Sequence, residues 1–396
     1  MIQISPETQL FIREHSSDDV RTLALQAKKY PDINMPTAIT QIAGRQVAAE
    51  KIPSWREIEE IWYPKHLSLE QCSSEITARY KARLFQGDSL TDLTGGFGID
   101  CSFLATGFKS ATYVERQEEL CEIAAHNFPI LNLNHINVRN EDGVAYLQTM
   151  SPVDCIFLDP ARRNEHGGKT VAISDCEPNV AELEALLLSK ANRVMIKLSP
   201  MLDLSLALKE LKHTQEVHIL SVNNECKELL ILLGQTSPAE ITIHCVNLFT
   251  KGTQEEQHFV FTREQEQRSQ CTYTDSLGNY LYEPNASLLK AGAFRSIAAA
   301  YPVRKLHPNS HLYISDSFIE NFPGRIFRIV NQCSFNKKEV KENLADLKKA
   351  NVTVRNFPAT VAELRKRLHL TEGGDTYLFA STLNNGQKVI IRCEKV

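Results

Sequence analysis

The chain has 396 residues, 42% of them apolar and 23% charged, too many for one ordinary core; two or three domains are predicted. Its formal net charge of −4 excludes a basic field over the whole molecule, so any contact with nucleic acid has to come from a local patch. The ten cysteines include no CxxC pair and no Cys/His cluster at zinc spacing, and no metal site is predicted. Their scatter through apolar runs, with no secretory segment at the amino end, predicts a reducing, cytoplasmic setting. No unbroken run of about twenty apolar residues exists, so no membrane span is expected.

Residues 1–80 read as helices interrupted at Pro31, Pro36 and Pro53. A further helix is predicted over 68–85, with Ser73 and Ser74 as local caps and Ile76, Tyr80 and Leu84 on its apolar face. From about 81 to 235, short apolar strands alternate with amphipathic helices: SLTDL, ATYVE, HINVRNED, VDCIFLDP, RVMIKLSP, and finally EVHILSVNN with CKELLILLG as a closing hairpin. That alternation predicts an α/β fold, a Rossmann-like sheet, mostly parallel and covered on both faces. Residues 236–325 read as connecting strands, ITIHCVNLF and EQHFVFT, followed by a helix at SLLKAGAFRSIAAAY. From about 326 a compact strand and helix alternation predicts a small α+β, ferredoxin-like domain.

DLTGGFG, residues 92–98, falls between the first strand and a helix, and Gly95, Gly96 and Gly98 permit close approach of a ligand to the main chain. Glycine turns also occur at structural junctions. Glu115, about twenty residues later at the end of the second strand, is placed to accept from both hydroxyls of a ribose. The turn is not the GxGxxG that docks a pyrophosphate, and Asp92 would repel a diphosphate. An acid there attracts a ligand with a positive end. S-adenosyl-L-methionine, with cationic amino and sulfonium groups, is therefore expected over a dinucleotide. Thr94, Phe97 and Arg116 complete this set. Asp142 and Gly143, in the turn after the third strand, are candidates for the adenine end, with Glu141 as the register alternative; the bland reading of Asp142 is a turn-stabilising acid.

Asp92 to Gly98, Glu115, Asp142 and Asp159-Pro160 stand in the order found in class I S-adenosylmethionine-dependent methyltransferases, which the chain resembles over roughly residues 70–235. Over most of its length it is similar to the bacterial methyltransferases that end in a THUMP-like domain. The shared segments are SSEITARYKA, DLTGGFGID, FLDPARR, KLSPMLD, NNECKELL, YEPNASLLKAG and the terminal GGDTYLFAS. The resemblance implies that Asp92 and the glycines hold the methionine part, Glu115 the ribose, and that Asp142 lies by the adenine. It also implies an RNA substrate. Residues 331–396 carry 12 Lys or Arg against 7 Asp or Glu, and Lys337, Lys338, Lys341, Lys348, Lys349, Arg365, Lys366 and Arg367 are candidates to meet phosphates.

On this resemblance Asp159, at the end of the fourth strand, lies where the methyl group is presented, and it and Pro160 are the catalytic candidates. The Asp-Pro-Ala-Arg sequence lacks the second proline and the aromatic of amino-directed nucleic-acid methyltransferases. It departs too from the C5-methylating uridine enzymes, because KLSP offers Ser199 where they need a cysteine nucleophile. Arg162 and Arg163 are candidates to hold a phosphate or carboxylate, and Lys197, Ser199 and Glu225 are further substrate-side candidates. Three activities remain open: methyl transfer to structured RNA, methyl transfer to a small molecule or protein, and RNA binding by a fold that no longer catalyses.

Overall fold

A computed structural model of the chain describes residues 4–162 and 172–396. Six helices come first: α1 (Pro6–Glu14), α2 (Val20–Leu25), α3 (Met35–Lys51), α4 (Pro53–Arg56), α5 (His66–Gln71) and α6 (Glu75–Ala82). Pro36 and Pro53 sit in the first turns of α3 and α4, where no backbone N–H is needed, so they start helices there. The single helix predicted over 68–85 is two. The chain turns at Cys72–Ser74 because Ser73 is drawn away to a buried acid; Ser74 stands at the N-cap of α6 without bonding the backbone there.

The main sheet contains β1 (Gly87–Asp92), β2 (Phe108–Glu115), β3 (Ile136–Asn140), β4 (Val153–Leu158), β5 (Ala191–Leu198), β6 (Thr214–Val222), β7 (Glu225–Gly234), β8 (Thr242–Leu248) and β9 (Glu256–Thr262). Their order is β9-β8-β6-β7-β5-β4-β1-β2-β3. β1 runs parallel to β2 and β4, and β4 parallel to β5. The crossovers are α7 (Ile99–Ala105), α8 (Glu118–Ile130), α9 (Gly143–Thr149), α10 (Val180–Lys190) and α11 (Leu204–Glu210). Cys155 to Leu158 in β4 and Val194 to Leu198 in β5 are buried continuously, as strands covered on both faces must be. The hairpin β6–β7 turns on Asn223 and Asn224 at φ 50° and 68°, the left-handed pair that a two-residue turn matching strand twist requires.

A second sheet holds β10 (Tyr280–Pro284), β11 (Arg304–Lys305), β12 (Tyr313–Ser315), β13 (Gly324–Ser334), β14 (Asn351–Arg355), β15 (Thr376–Thr382) and β16 (Lys388–Lys395), in the order β11-β12-β10-β13-β16-β15-β14. Helices α12 (Arg263–Arg268), α13 (Ala286–Ala291), α14 (Ser296–Ala300), α15 (Lys337–Leu344) and α16 (Val361–Leu368) belong to this half. The helix predicted through SLLKAGAFRSIAAAY is broken into α13 and α14 at Gly292, whose φ of 76° ends the first. By its contacts the chain forms two compact units, Met1–Gln215 with Leu230–Pro238, and Glu216–Leu229 with Ala239–Val396. All ten cysteines are free thiols, and no helix among the described residues is long and apolar enough to cross a membrane.

In the first unit the amino-terminal helices support the glycine turn from behind. Phe97 packs into a cluster with Ala48, Ile52, Trp55, Ile61, Tyr63 and Leu69, its ring 5.3 Å from that of Trp55 and edge-on to it. Phe97→Ala removes that anchor and should cost about 3–5 kcal/mol of unfolding free energy, read by urea denaturation of the full chain.

Candidate active site

In an open α/β sheet the ligand crevice lies beyond the carboxyl ends of the strands, where successive crossovers turn to opposite sides. Here that point is between β1 and β4. Four charged side chains meet this edge within the first unit: Asp92 ends β1, Glu115 ends β2, Asp159 follows β4, and Lys197 is near the end of β5.

The turn after β1 is tied down from both flanks. Gly95 N–H donates to Val114 O, Leu93 N–H to Phe157 O, and Asp159 N–H to Thr94 Oγ1 at 2.6 Å. A Cβ on Gly95 would stand 2.3 Å from the Tyr113 ring, and Gly96 and Gly98 hold left-handed φ of 54° and 86° that glycine adopts without strain. Gly143 is equally constrained, since a Cβ there would meet Leu93 O at 2.1 Å. Glu115 closes the turn: its two carboxylate oxygens accept from Gly96 N–H (2.9 Å) and Gln117 N–H (2.8 Å).

Asp92 is in the opposite condition. It is buried, its Oδ1 accepts from Thr94 N–H at 2.9 Å, and its Oδ2 is enclosed with no hydrogen-bond partner. Burial pushes its carboxyl well above the usual range, Asp100 and Asp159 add to that, and the Thr94 N–H and Lys197 oppose it.

Behind these residues is a charge cluster that sequence reasoning did not assemble. Lys81, on α6, has no exposed side-chain surface; its Nζ donates to Ser73 Oγ at 3.0 Å and faces Asp100 Oδ1 at 3.0 Å, an ion pair off hydrogen-bond alignment. Ser73 Oγ donates to Asp100 Oδ2 at 2.7 Å. Lys197 Nζ reaches the same Asp100 oxygen at 3.2 Å, Ser73 Oγ at 3.1 Å and Asp159 Oδ2 at 2.5 Å. Burial alone would raise the Asp100 carboxyl; Lys81 and Lys197 overcome it and hold the group below the ordinary carboxylate range. Burial also raises Asp159, with Lys197 opposing, although 36% of the Asp159 side chain meets solvent and tempers the rise. The arrangement can present one carboxylate, held by a lysine, to an incoming N–H or O–H group.

Part of the signal for Ser73, Lys81 and Asp100 was in the sequence, though not their burial or pairing. Ser73, Thr77 and Lys81 recur at four-residue spacing beside the apolar face taken for α6, and Asp100 follows the glycine turn directly.

The other candidates divide. Asp142 caps α9, its Oδ1 accepting from Val144 and Ala145 N–H at 3.0 Å each. Phe97 faces the apolar cluster described above. Arg116 is exposed and lies 3.7 Å from Glu177, Pro160 is buried, and Ser199 Oγ accepts from Met201 N–H. Glu225 belongs to the second unit, where it is exposed and paired with Lys227 at 2.7 Å; because β7 is a strand, Glu228 points the other way and is buried. Arg162 enters a two-residue ladder with Cys176–Glu177, while Arg163, Gly167 and Gly168 lie outside the described residues.

Comparison with solved structures adds identity to this geometry. A candidate methyltransferase from Porphyromonas gingivalis W83 is 34% identical, with 100% of each chain covered and a TM-score of 0.87. The chain belongs to this methyltransferase family. Its carboxyl half also matches two family models: a ferredoxin-like domain over residues 280–323 and a THUMP domain-like segment over 324–395. An rRNA methylase from Streptococcus thermophilus aligns over 40% of this chain and 93% of its own, at 13% identity and a TM-score of 0.30. A candidate methyltransferase from Streptococcus mutans, solved in complex with SAH, aligns over 40% and 96% at 12% identity, also with a TM-score of 0.30. Likenesses that weak carry no argument here. No curated protein matches the chain.

The methyltransferase fold thus carries a buried two-lysine cluster whose removal is measurable. Lys81→Met strands part of the Asp100 charge and should cost about 3–5 kcal/mol in urea unfolding, whereas adding Asp100→Asn should return much of that loss.

Proposed function

We propose that this methyltransferase uses S-adenosylmethionine and that its substrate is RNA. The observation that carries the cofactor is the enclosed, unpartnered Oδ2 of Asp92 at the glycine turn. A buried acceptor without a partner is costly unless a ligand supplies the donor or the charge. An ammonium bound beside the turn supplies the charge, and a diphosphate does not. The residues present fit S-adenosylmethionine: Asp92 and the Gly95–Gly96 turn for the methionine end, Glu115 for the ribose hydroxyls, and Asp142 for the adenine side. Glu115 already receives two N–H groups, yet a carboxylate has about four acceptor positions, which leaves capacity for ribose hydroxyls in this reading.

When bound, the cofactor supplies an electrophilic methyl group on a sulfonium. The chain's own contribution is placement. Asp159 accepts a hydrogen bond from the nucleophile's N–H or O–H, Lys197 holds that carboxylate in one orientation, and Asp100 with Ser73 holds Lys197. RNA is supported by the THUMP domain-like match and by the exposed Lys337, Lys338 and Lys341 on α15 and Lys348 and Lys349 after it. Two arginines of the predicted patch are already engaged, Arg365 with Glu372 at 3.0 Å and Arg367 over the Phe335 ring at 4.0 Å, so the lysines are the phosphate contacts in this reading.

The deciding experiment follows label from S-adenosylmethionine into RNA, protein and small-molecule fractions, with native chain and an Asp92→Ala, Glu115→Ala variant. Label in RNA from the native chain alone is expected; label only in another fraction overturns the RNA assignment.

Cofactor binding should also depend on pH. In the free protein the folded pKa of Asp92 is raised, so the folded state keeps a proton that the unfolded state has lost, and stability falls as pH rises above the ordinary aspartate value. A cationic ligand favours the ionised carboxylate, so affinity should strengthen as pH rises toward the raised value. Calorimetry should show that rise in the native chain. Asp92→Asn should bind at least ten-fold more weakly without it, while unfolding at a higher temperature at neutral pH.

Replacing Lys337, Lys338 and Lys341 together by Gln should weaken RNA binding and lower the slope of log affinity against log salt by about 2–3, with cofactor affinity unchanged.

A further inference from the structure

The second unit presents histidines on one face of β6, β8 and β9. Alternate residues of a strand share a face, which puts Glu216 and His218 of β6 together. In the parallel pairing of β6 and β8, His244 stands directly opposite His218. In the antiparallel pairing of β8 and β9, His244 faces Val260 and His258 faces Val246, so His258 lies diagonally beside His244 on the same side. The opposite face is apolar and buried, with Val217, Ile219, Ile243, Cys245, Phe259 and Phe261.

The side chains converge. His218 Nε2 lies 3.2 Å from Glu216 Oε2, and His244 Nε2 lies 3.8 Å from the same oxygen. The two imidazoles stack in parallel, 4.3 Å apart and 5° from coplanar orientation, so their Nε2 edges are presented on one side. One ligand atom from each of Glu216, His218 and His244 falls within 4.8 Å of the others. In a tetrahedral zinc site with bonds of about 2.0 Å, ligand atoms are separated by about 3.3 Å. The two spacings to Glu216 approach that value, and a modest turn of the partly buried His244 ring and the partly exposed Glu216 carboxylate brings the set in.

The remaining histidine does what a supporting group beside a metal ligand does. His244 Nδ1 and His258 Nε2 are 3.1 Å apart, so an Nδ1–H on His244 donates to His258 and leaves the His244 Nε2 lone pair facing Glu216 and His218. Two imidazoles and one carboxylate, the Glu216 carboxylate reaching partly into solvent, are the donor set of a divalent first-row ion that keeps a water, and zinc suits it best.

We propose that Glu216, His218 and His244 bind one zinc ion on this sheet face, with His258 orienting His244. Glu216 and His218 are two residues apart on β6, but the third ligand, His244, comes from β8, so the sequence does not show the full set together.

The test uses the full chain without a histidine tag, stripped with chelator and kept reduced. Zinc is titrated by calorimetry and cobalt by its visible absorption. One ion per chain with a cobalt spectrum of nitrogen and oxygen ligation is expected. Affinity should fall at least 100-fold in His244→Gln, and about 10-fold in His258→Gln, which leaves all three ligands in place. Glu216→Gln provides a second ligand variant on the solvent side, and circular dichroism confirms that each variant is folded. Absence of stoichiometric binding overturns the proposal. So does binding that His244→Gln and Glu216→Gln leave unchanged, or a thiolate-type cobalt spectrum, which would assign the metal to the free cysteines.

Discussion

Two lysines buried at the edge of a parallel sheet impose the constraint on which the site depends. Neither Lys81 nor Lys197 can lie in that interior uncompensated, and both are compensated by one acid, Asp100, with Ser73 bridging them. Satisfying them fixes four elements relative to one another: α6 through Lys81 and, in the turn before it, Ser73, α7 through Asp100, β5 through Lys197, and the end of β4 through Asp159. A buried ion cluster gives little stability over an apolar core of the same shape. What it supplies is position, because Lys197 is held between Asp100 on one side and Asp159 on the other.

The acids around the glycine turn show how one edge produces opposite electrostatic states. Glu115 receives backbone N–H groups on both oxygens, so it is part of the turn's framework before any ligand arrives. Asp92 receives one N–H, on one oxygen, and is flanked by two further acids. The desolvation that Glu115 has answered locally remains unanswered at Asp92. On the proposed reading that imbalance favours a ligand carrying positive charge, beside the turn in which Gly96 is partly exposed. The fold and the electrostatics select the same spot for independent reasons.

Much of this was legible in the sequence. The alternation of apolar runs with amphipathic helices predicted the sheet, and the glycine turn and Glu115, singled out together, do meet at one edge of it, since both signals are local. The single helix expected over 68–85 was not found, because periodicity cannot see that Ser73 has a partner 27 residues away in Asp100. Lys81 was passed over because a lysine on a helix ordinarily reads as solvated surface, and only the tertiary structure buries it. Glu225 was left open between helix and strand, and the strand answers it by turning Glu225 outward and Glu228 inward. The histidine face escaped for a related reason: Glu216 and His218 are neighbours on β6, but His244 and His258 join them only across strands, where sequence distance carries no information.

On the proposed reading, the distribution of basic groups also says where discrimination between RNAs has to arise. Arginine recognises planar, bidentate acceptors with defined geometry, whereas lysine acts as a flexible point charge. In the carboxyl domain Arg355 and Arg325 converge on the buried carboxylate of Glu283, Arg365 pairs with Glu372, and Arg392 with Asp346. These arginines are part of the domain's own framework. The exposed lysines of α15 are left to meet phosphates, an interaction that is strong at low salt and nearly blind to sequence. Selectivity then depends on what fits beside Asp159, where the acceptor must offer an N–H or O–H to a carboxylate whose direction Lys197 has already set. An enzyme arranged in this way would bind many RNAs through its carboxyl domain and methylate few of them, with the choice made at the end of β4.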